Sequence, residues 1–387
     1  MLVPSRMPRE IPAAKNNRIR FVSASIRFKN AREEITKALL SDIPTVDESK
    51  IINAYQLSRR TLGPYVTLDW EHRDQILNLI HKIKSYARDE TRKRPLNIMM
   101  QAEPGSGKSH FINCIAEALD YFNVSAVSFN MGSLQTIDDL SHPLEAIRNL
   151  KVVDKLPILF LDEFDSDQSR FPMLLPLLWD GELHIGHRDL KLGKLIIILA
   201  GSTPIISKAM KSAKSMQNNS NNDASKLTDL LSRINCGEFK IPPLDLHERE
   251  RDRRIDKICL SISLLQQRFG KNLQLIPWPL LRFIAKCRFR YGVRSIAHLI
   301  DTIQVPNSFL YGDSARETTS NNSENSISMN DLNFPFDSVT SLKNSSLAYH
   351  LLIEADEEPD TIIETWNSIK TCKTLVRFQE EERPEEI

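Results

Sequence analysis

LNIMMQAEPGSGKS, residues 96–109, decides how the rest of the chain is read. Leu96–Ala102 is a short apolar run that predicts a buried strand. The run breaks at Gly105-Ser106-Gly107-Lys108-Ser109, where the glycines permit a turn that no bulkier residue could make. From His110 to Leu119 apolar residues recur at helical spacing, at Phe111, Ile112, Ile115, Ala116 and Leu119. Strand, glycine turn and helix N-terminus together make a phosphate cradle, with backbone N–H groups and the helix dipole facing the anion. The pattern is G-x-x-x-x-G-K-[ST], except that Ala102 stands for the first glycine. Ala102, Glu103, Pro104, Gly105, Ser106, Gly107, Lys108, Ser109 and His110 are therefore the candidate nucleotide contacts. A methyl group at Ala102 is tolerable provided its φ stays negative.

Composition narrows the class without naming it. A chain of 387 residues holds one or two domains with a sizeable core. Its 41% hydrophobic and 26% charged content is ordinary for a globular protein. A formal net charge of +1 gives no global reason to expect a nucleic-acid binder. Charge is uneven, however: Arg6, Arg9, Lys15, Arg18, Arg20, Arg27, Lys29 and Arg32 face only Glu10 in residues 1–32, while 354–387 is acidic. Such ends are either solvated tails or partner-seeking arms. Five dispersed cysteines (114, 236, 259, 287 and 372) argue for a reducing cytoplasm and against a disulfide frame or zinc site. The N-terminus lacks an apolar signal core, and no run approaches the ~18 apolar residues of a membrane span. The expectation is a cytoplasmic protein with no membrane partner.

Around the opening stretch, strands and helices alternate. Helices are expected at Ala31–Leu40, Asp47–Leu57 and His72–Arg88, the last carrying Ile76, Leu77, Ile80, Ile83 and Ala87 on one face. Beyond the glycine turn come strands at Ser125–Asn130, Pro157–Leu161, Lys194–Ala200 and Glu238–Pro242. Helices at Ile137–Leu150 and Pro172–Trp179, and one ending over Asp229–Ile234, separate them. This alternation predicts an α/β fold, a parallel sheet covered on both faces, with ligands at the carboxyl ends of the strands. Lys211–Ser225 reads as a mobile polar insertion. Glu248–Phe269, Trp278–Phe289 and Val293–Thr302 predict a helical block. The boundaries follow: 1–58, a basic N-terminal arm and helices; 59–245, the nucleotide-binding α/β domain; 246–311, a helical lid domain; 312–330, a Ser/Asn-rich linker; 331–387, a small acidic extension.

The second motif is Ile158-Leu159-Phe160-Leu161-Asp162-Glu163, an apolar strand that delivers two carboxylates at its end. Asp162 and Ser109 suit the shell of a Mg²⁺ ion bound with ATP. Glu163 is placed to orient and deprotonate an attacking water. An N-cap after a strand accounts for one acid but not for two.

With these residues in place the chain resembles the AAA+ ATPases, over roughly residues 60–303. AEPGSGKS (102–109) is similar to the Walker A loop and ILFLDE (158–163) to the Walker B strand. LIIILAGST (195–203) resembles the strand that ends in sensor 1, which implies Ser202 first and Thr203 second as the polar residue near the lytic water. A helix N-cap before Pro204 is the competing use of either hydroxyl. Asp229-Leu230-Leu231-Ser232-Arg233-Ile234 resembles the arginine-finger segment, so Arg233 is expected to reach ATP in a neighbouring subunit; a surface ion pair is the alternative. Tyr291-Gly292-Val293-Arg294-Ser295-Ile296 resembles sensor 2 and implies that Arg294 reaches the nucleotide from the lid. A generic basic surface with Lys286, Arg288 and Arg290 is the other reading. Asn130 sits where relatives hold a residue that restrains the catalytic glutamate, or is a turn asparagine.

GELHIGHRDLKLGK, between Trp179 and the sensor 1 strand, resembles the extra β-hairpin of one AAA+ branch, and FKIPPL (239–244) looks like a segment of the same branch. The G-A-F-T-G-A loop of sigma-factor activators is absent. His184 and His187 on the hairpin are read as surface residues rather than metal ligands. The resemblance implies a Mg-dependent ATPase forming a homo-oligomeric, hexameric ring, with Glu163, Arg233, Ser202 and Lys108 catalytic, that remodels a protein partner or effector. Nucleic acid is a further partner candidate through the basic arm and the 286–294 cluster. The alternative is a nucleotide-gated scaffold with slow hydrolysis, for example in a bacterial defence module. A P-loop kinase is disfavoured.

Overall fold

The computed structural model describes residues 48–185, 188–204, 222–244, 253–269 and 273–303, together with 30, 33, 327–328, 351–352, 367 and 375–377. Apart from Asn30 and Glu33, both helical, the basic arm and the expected helix Ala31–Leu40 lie outside these residues, as does most of the polar insertion. The elements in chain order are α1 (Glu48–Arg59), α2 (Trp70–Arg88), β1 (Leu96–Gln101), α3 (Lys108–Ala118), β2 (Val124–Asn130), α4 (Ser141–Val152) and β3 (Leu156–Asp162). Then come α5 (Phe171–Asp180), the hairpin β4 (Glu182–Ile185) and β5 (Arg188–Lys191), β6 (Ile196–Gly201), α6 (Asn222–Ser232) and β7 (Gly237–Lys240). The polar run expected to be mobile gives up its last four positions, Asn222–Ser225, to the start of α6.

Five strands form one parallel sheet in the order β2-β3-β6-β1-β7. The inner strands β3 and β6 read as nearly unbroken apolar runs because both faces are covered, whereas the edge strands β2 and β7 carry exposed polar residues. Alternate side chains then go to opposite faces. Ile98, Met100, Phe160 and Ile198 pack with Ile76 and Ile83 of α2 and Phe111 and Ile115 of α3. Met99, Leu159, Leu161, Ile197 and Leu199 pack with residues of α4, α5 and α6, among them Leu144, Leu174 and Leu230. All six residues of β6 are buried, which fits its central place. Pro176 sits inside α5.

The C-terminal helices α7 (Arg254–Phe269), α8 (Trp278–Lys286) and α9 (Gly292–Thr302) form a second core with Ile258, Ile262, Leu281, Ile284, Ile296 and Leu299. Helix α1 belongs to this core through Ile51, Ala54 and Tyr55, and Tyr55 Oη donates to Gln266 Oε1 at 2.7 Å. The N-terminal boundary at residue 58 thus cuts across a packed unit, since an amphipathic helix has to bury its apolar stripe somewhere. The block is also less purely helical than its sequence suggests. β8 (Leu273–Pro277) precedes α8, and the helix expected to reach Phe289 stops at Lys286 before β9 (Arg288–Phe289). β8 pairs with β10 (Ile327–Ser328) and with β12 (Leu375–Arg377), and β9 pairs with β11 (Leu351–Leu352). The linker and the acidic extension therefore each lend strands to the helical block. Strands of two or three residues have no detectable period, and their partners lie far away in sequence.

One buried polar clasp joins the two cores. Asp69 caps α2, accepting from the N–H groups of Glu71 and His72. The Arg253 guanidinium lies 3.8 Å from Asp69 Oδ2 and 3.3 Å from Asp256 Oδ2, while Asp256 Oδ1 accepts the Leu68 N–H at 2.9 Å. Few exposed charges would matter as much, because buried charges persist only when paired and hydrogen-bonded.

Candidate nucleotide-binding site

The turn after β1 is built as its sequence demands. Ala102 is 2% exposed, and its N–H donates to the Gly201 carbonyl at 2.9 Å. Its φ is not positive, so the methyl group that departs from the motif is accommodated. Gly105 and Gly107 take φ of 79° and 85°, a region open to glycine at little cost. Gly107 caps α3, so Lys108 and Ser109 open the helix where its free N–H groups lie.

At the end of β3, Asp162 does two things. Its Oδ1 is 2.9 Å from Lys108 Nζ and also accepts the Glu163 N–H at 2.9 Å. Glu163 has a φ of 53°, a left-handed conformation that costs a non-glycine residue about 1–2 kcal/mol. That turn carries the side chain out of the strand line into solvent beside Gly132. A Cβ on Gly132 would lie 2.6 Å from Glu163 Oε2 and 2.9 Å from Asn130 Oδ1. Asn130 therefore both flanks Glu163 and makes a turn, accepting the Gly132 N–H at 2.7 Å. The two readings of Asn130 are compatible.

Ser202 follows β6 and is exposed at the same sheet end. The segment after Pro204, where the sequence suggested a helix that would compete for its hydroxyl, lies outside the described residues. Thr203 uses its backbone, its N–H donating to Asp165 Oδ2 at 2.7 Å. Asp165 was not singled out in the sequence, although the run Asp162-Glu163-Phe164-Asp165 carries it.

Arg294 arrives from the helical block. Its N–H donates to the Gly105 carbonyl at 3.2 Å, and a Cβ on Gly105 would come within 3.2 Å of Arg294 Cβ and collide with the Tyr291 carbonyl. Gly105 thus has two reasons to be glycine. Arg294 itself is exposed, at the mouth of the loop.

Arg233 is elsewhere. It follows α6, where its guanidinium pairs with Asp229 and its carbonyl accepts from Asn97 Nδ2 at 2.8 Å. Asn97, fully buried near the start of β1, also donates to the Leu178 carbonyl at 2.6 Å and through its N–H to Asn235 Oδ1 at 2.8 Å. Sequence reading missed both asparagines: Asn97 is a polar residue in an apolar strand with no periodic signature, and Asn235 sits in the irregular link between α6 and β7.

A cavity of about 340 Å³ adjoins the first half of the loop, lined among others by Asp69, His72, Gln101, Glu103, Ser202 and Lys240. Burial drives the His72 imidazole down to a pKa of about 3, so it is neutral, and its Nε2 lies 2.9 Å from Tyr65 Oη. Among the described residues no cluster of three or more His, Cys, Asp or Glu could hold a metal alone. Asp162 and Ser109 are hard oxygen donors, which fits Mg²⁺, an ion that keeps waters and takes phosphate oxygens rather than a full protein cage. His184 is an exposed hairpin residue 2.5 Å from Asp189 Oδ1; His187 lies outside the described residues. In the 286–294 cluster Arg290 is exposed and Arg288 half-buried in β9. No helix among the described residues is long and apolar enough to cross a membrane.

Residues 98–218 match the family model described as ATPase family associated with various cellular activities (AAA). No curated protein sequence matches the chain. Among solved structures, the S. cerevisiae Hsp104–ADP complex aligns with a TM-score of 0.41 at 16% identity, over 66% of this chain and 47% of that one. NtrX from Brucella abortus in complex with ADP aligns with a TM-score of 0.39 at 16% identity, over 58% of this chain and 49% of that one. The chain spans about half the length of these two structures.

Proposed function

We propose, for a chain that belongs to the AAA family of ATPases through residues 98–218, that it hydrolyses ATP in an assembly of copies and uses the cycle to remodel or organise a macromolecular partner. The observation that carries this is the convergence at one sheet end of Lys108 and Asp162, 2.9 Å apart, with exposed Glu163 next in sequence. In this reading the N–H groups of the 102–110 loop and the Lys108 ammonium bind the phosphates. Ser109 and Asp162 hold Mg²⁺, which when bound neutralises charge on the β- and γ-phosphates. Glu163 takes the proton of the attacking water, Ser202 orients that water, and Arg294 senses the nucleotide from the helical lid.

An assembly is favoured by the place of Arg233. Asn97 ties it to the start of β1, whereas the phosphate loop follows the strand's other end, about 17 Å away at ~3.3 Å per residue. A guanidinium there serves a neighbour's ATP rather than its own. Closed rings follow when each subunit completes the next one's site, and a hexamer is the form we expect. The Arg233–Asp229 pair within one chain also favours a second reading, a nucleotide-gated scaffold that hydrolyses slowly until assembly frees the arginine.

Steady-state ATP turnover of the parent and of Glu163→Gln tests the core of the proposal. The substitution is expected to slow turnover by about two to four decades while leaving nucleotide binding intact. Equal rates would sink the hydrolytic assignment.

A further inference from the structure

Phe164–Ser166 form a single tight turn immediately after Glu163, and the Ser166 N–H donates to the Glu163 carbonyl at 3.0 Å. Phe164, 1% exposed, stacks on Phe171 with ring centroids 5.7 Å apart, so the turn is anchored in the core. Asp165 leaves this anchored turn toward the end of β6. Its Oδ2 accepts the Thr203 N–H at 2.7 Å. Its carboxyl group also lies over Gly201: a Cβ there would sit 2.5 Å from Asp165 Cγ and Oδ1 and 2.7 Å from Oδ2. Gly201 does not have a positive φ, so glycine is required at this point for clearance and not for backbone freedom. The Gly201 carbonyl meanwhile accepts the Ala102 N–H at 2.9 Å. One residue of β6 is thus held by the phosphate loop on one side and by the Glu163 turn on the other.

We propose that Asp165 is a positioning residue that sets Ser202 in register with Glu163, by holding the Thr203 N–H and resting on Gly201. This rests on the ATPase reading above and names a further part of the same site. Asp165 touches no nucleotide; it acts through the two backbone positions that flank Ser202. A carboxylate is one way to accept this N–H, and an amide carbonyl is another of the same size. Misplacing a catalytic group by about an ångström can cost two decades in rate.

The test is a kinetic series on the full chain with ATP and Mg²⁺. Asp165→Ala is expected to lower kcat about tenfold or more with KM for ATP within about twofold of the parent. Asp165→Asn, whose Oδ1 accepts the same N–H, is expected to restore kcat to within about threefold. Gly201→Ala should slow the parent, because its Cβ expels the carboxylate, but should add nothing in the Asp165→Ala background. Asp165→Ala turning over at the parental rate, Asp165→Asn as slow as Asp165→Ala, or additive losses in the double variant would each overturn the proposal. If Asp165→Ala does not fold, as judged by thermal unfolding, Gly201→Ala decides alone: a parental kcat overturns the assignment, and a lowered kcat at unchanged KM upholds it. A parent without ATPase activity, or Glu163→Gln as fast as the parent, defeats instead the reading on which this one rests.

Discussion

The two ends of the central sheet are built on opposite principles. At the carboxyl end the backbone is bent into conformations that bring functional groups to the sheet end: glycines at positive φ, Glu163 left-handed, and Lys108 paired with Asp162 at 2.9 Å. At the amino end most of the polar groups are consumed internally, although Asn97 Oδ1 and Arg233 Nε are buried without a hydrogen-bond partner. Asn97 spends its side-chain amide on the Leu178 and Arg233 carbonyls, Asn235 closes onto the Pro95 carbonyl, and the Arg94 guanidinium lies 4.1 Å over the Trp179 ring. One end leaves polar groups open at the surface, and the other ties most of them into the chain's own hydrogen bonds. In the assembly proposed above, Arg233 and Lys108 would belong to the two halves of a site shared between subunits, because they stand at opposite ends of β1.

The largest effect that would break this contrast concerns Arg233. Arg233→Ala is expected to lower turnover by about three to five decades, the range of an arginine finger. Mixing inactive Arg233→Ala with inactive Glu163→Gln chains is expected to restore activity, since each interface of the right order joins an intact Glu163 to an intact Arg233. No recovery in the mixture, with assembly confirmed by sedimentation, would place Arg233 in its own subunit's site and erase the distinction between the ends. An intermediate effect is expected from Asn97→Ala, which leaves two buried carbonyls without their donor. It should cost about 1–3 kcal/mol in thermal or denaturant unfolding and lower turnover with unchanged nucleotide affinity. The smallest is Arg94→Ala. Trp179 is 44% exposed, and an exposed cation–π contact is worth about 0.5–1 kcal/mol, measurable as a small shift in the unfolding midpoint.

Legibility followed the same division. The carboxyl end could be read because its chemistry is local: Gly105 to Ser109 are contiguous, and Asp162 and Glu163 end an apolar run. Asp165 escaped notice because its partner, the Thr203 N–H, is 38 residues away and belongs to the backbone. Asn97 and Asn235 escaped for a similar reason, their bonds crossing 81 to 140 residues. In the helical block the apolar periodicity of α7 and α9 was visible. The short strands β8 to β12 were not, since two to five residues pair with segments as distant as Leu273–Pro277 is from Leu375–Arg377.

The amino-acid sequence by itself determined the alternation of strands and helices, the phosphate loop with its tolerated Ala102, and the paired carboxylates at the end of β3. Each of these is encoded in a contiguous stretch, where periodicity and residue type suffice. Only the tertiary structure decided that α1 packs with the C-terminal helices, that Gly105 and Gly201 are glycine for the sake of Tyr291 and Asp165, and that Arg233 stands at the far end of the sheet from Lys108. Those depend on which distant surfaces meet, and contact between remote segments is set by packing of the whole chain rather than by any stretch of it.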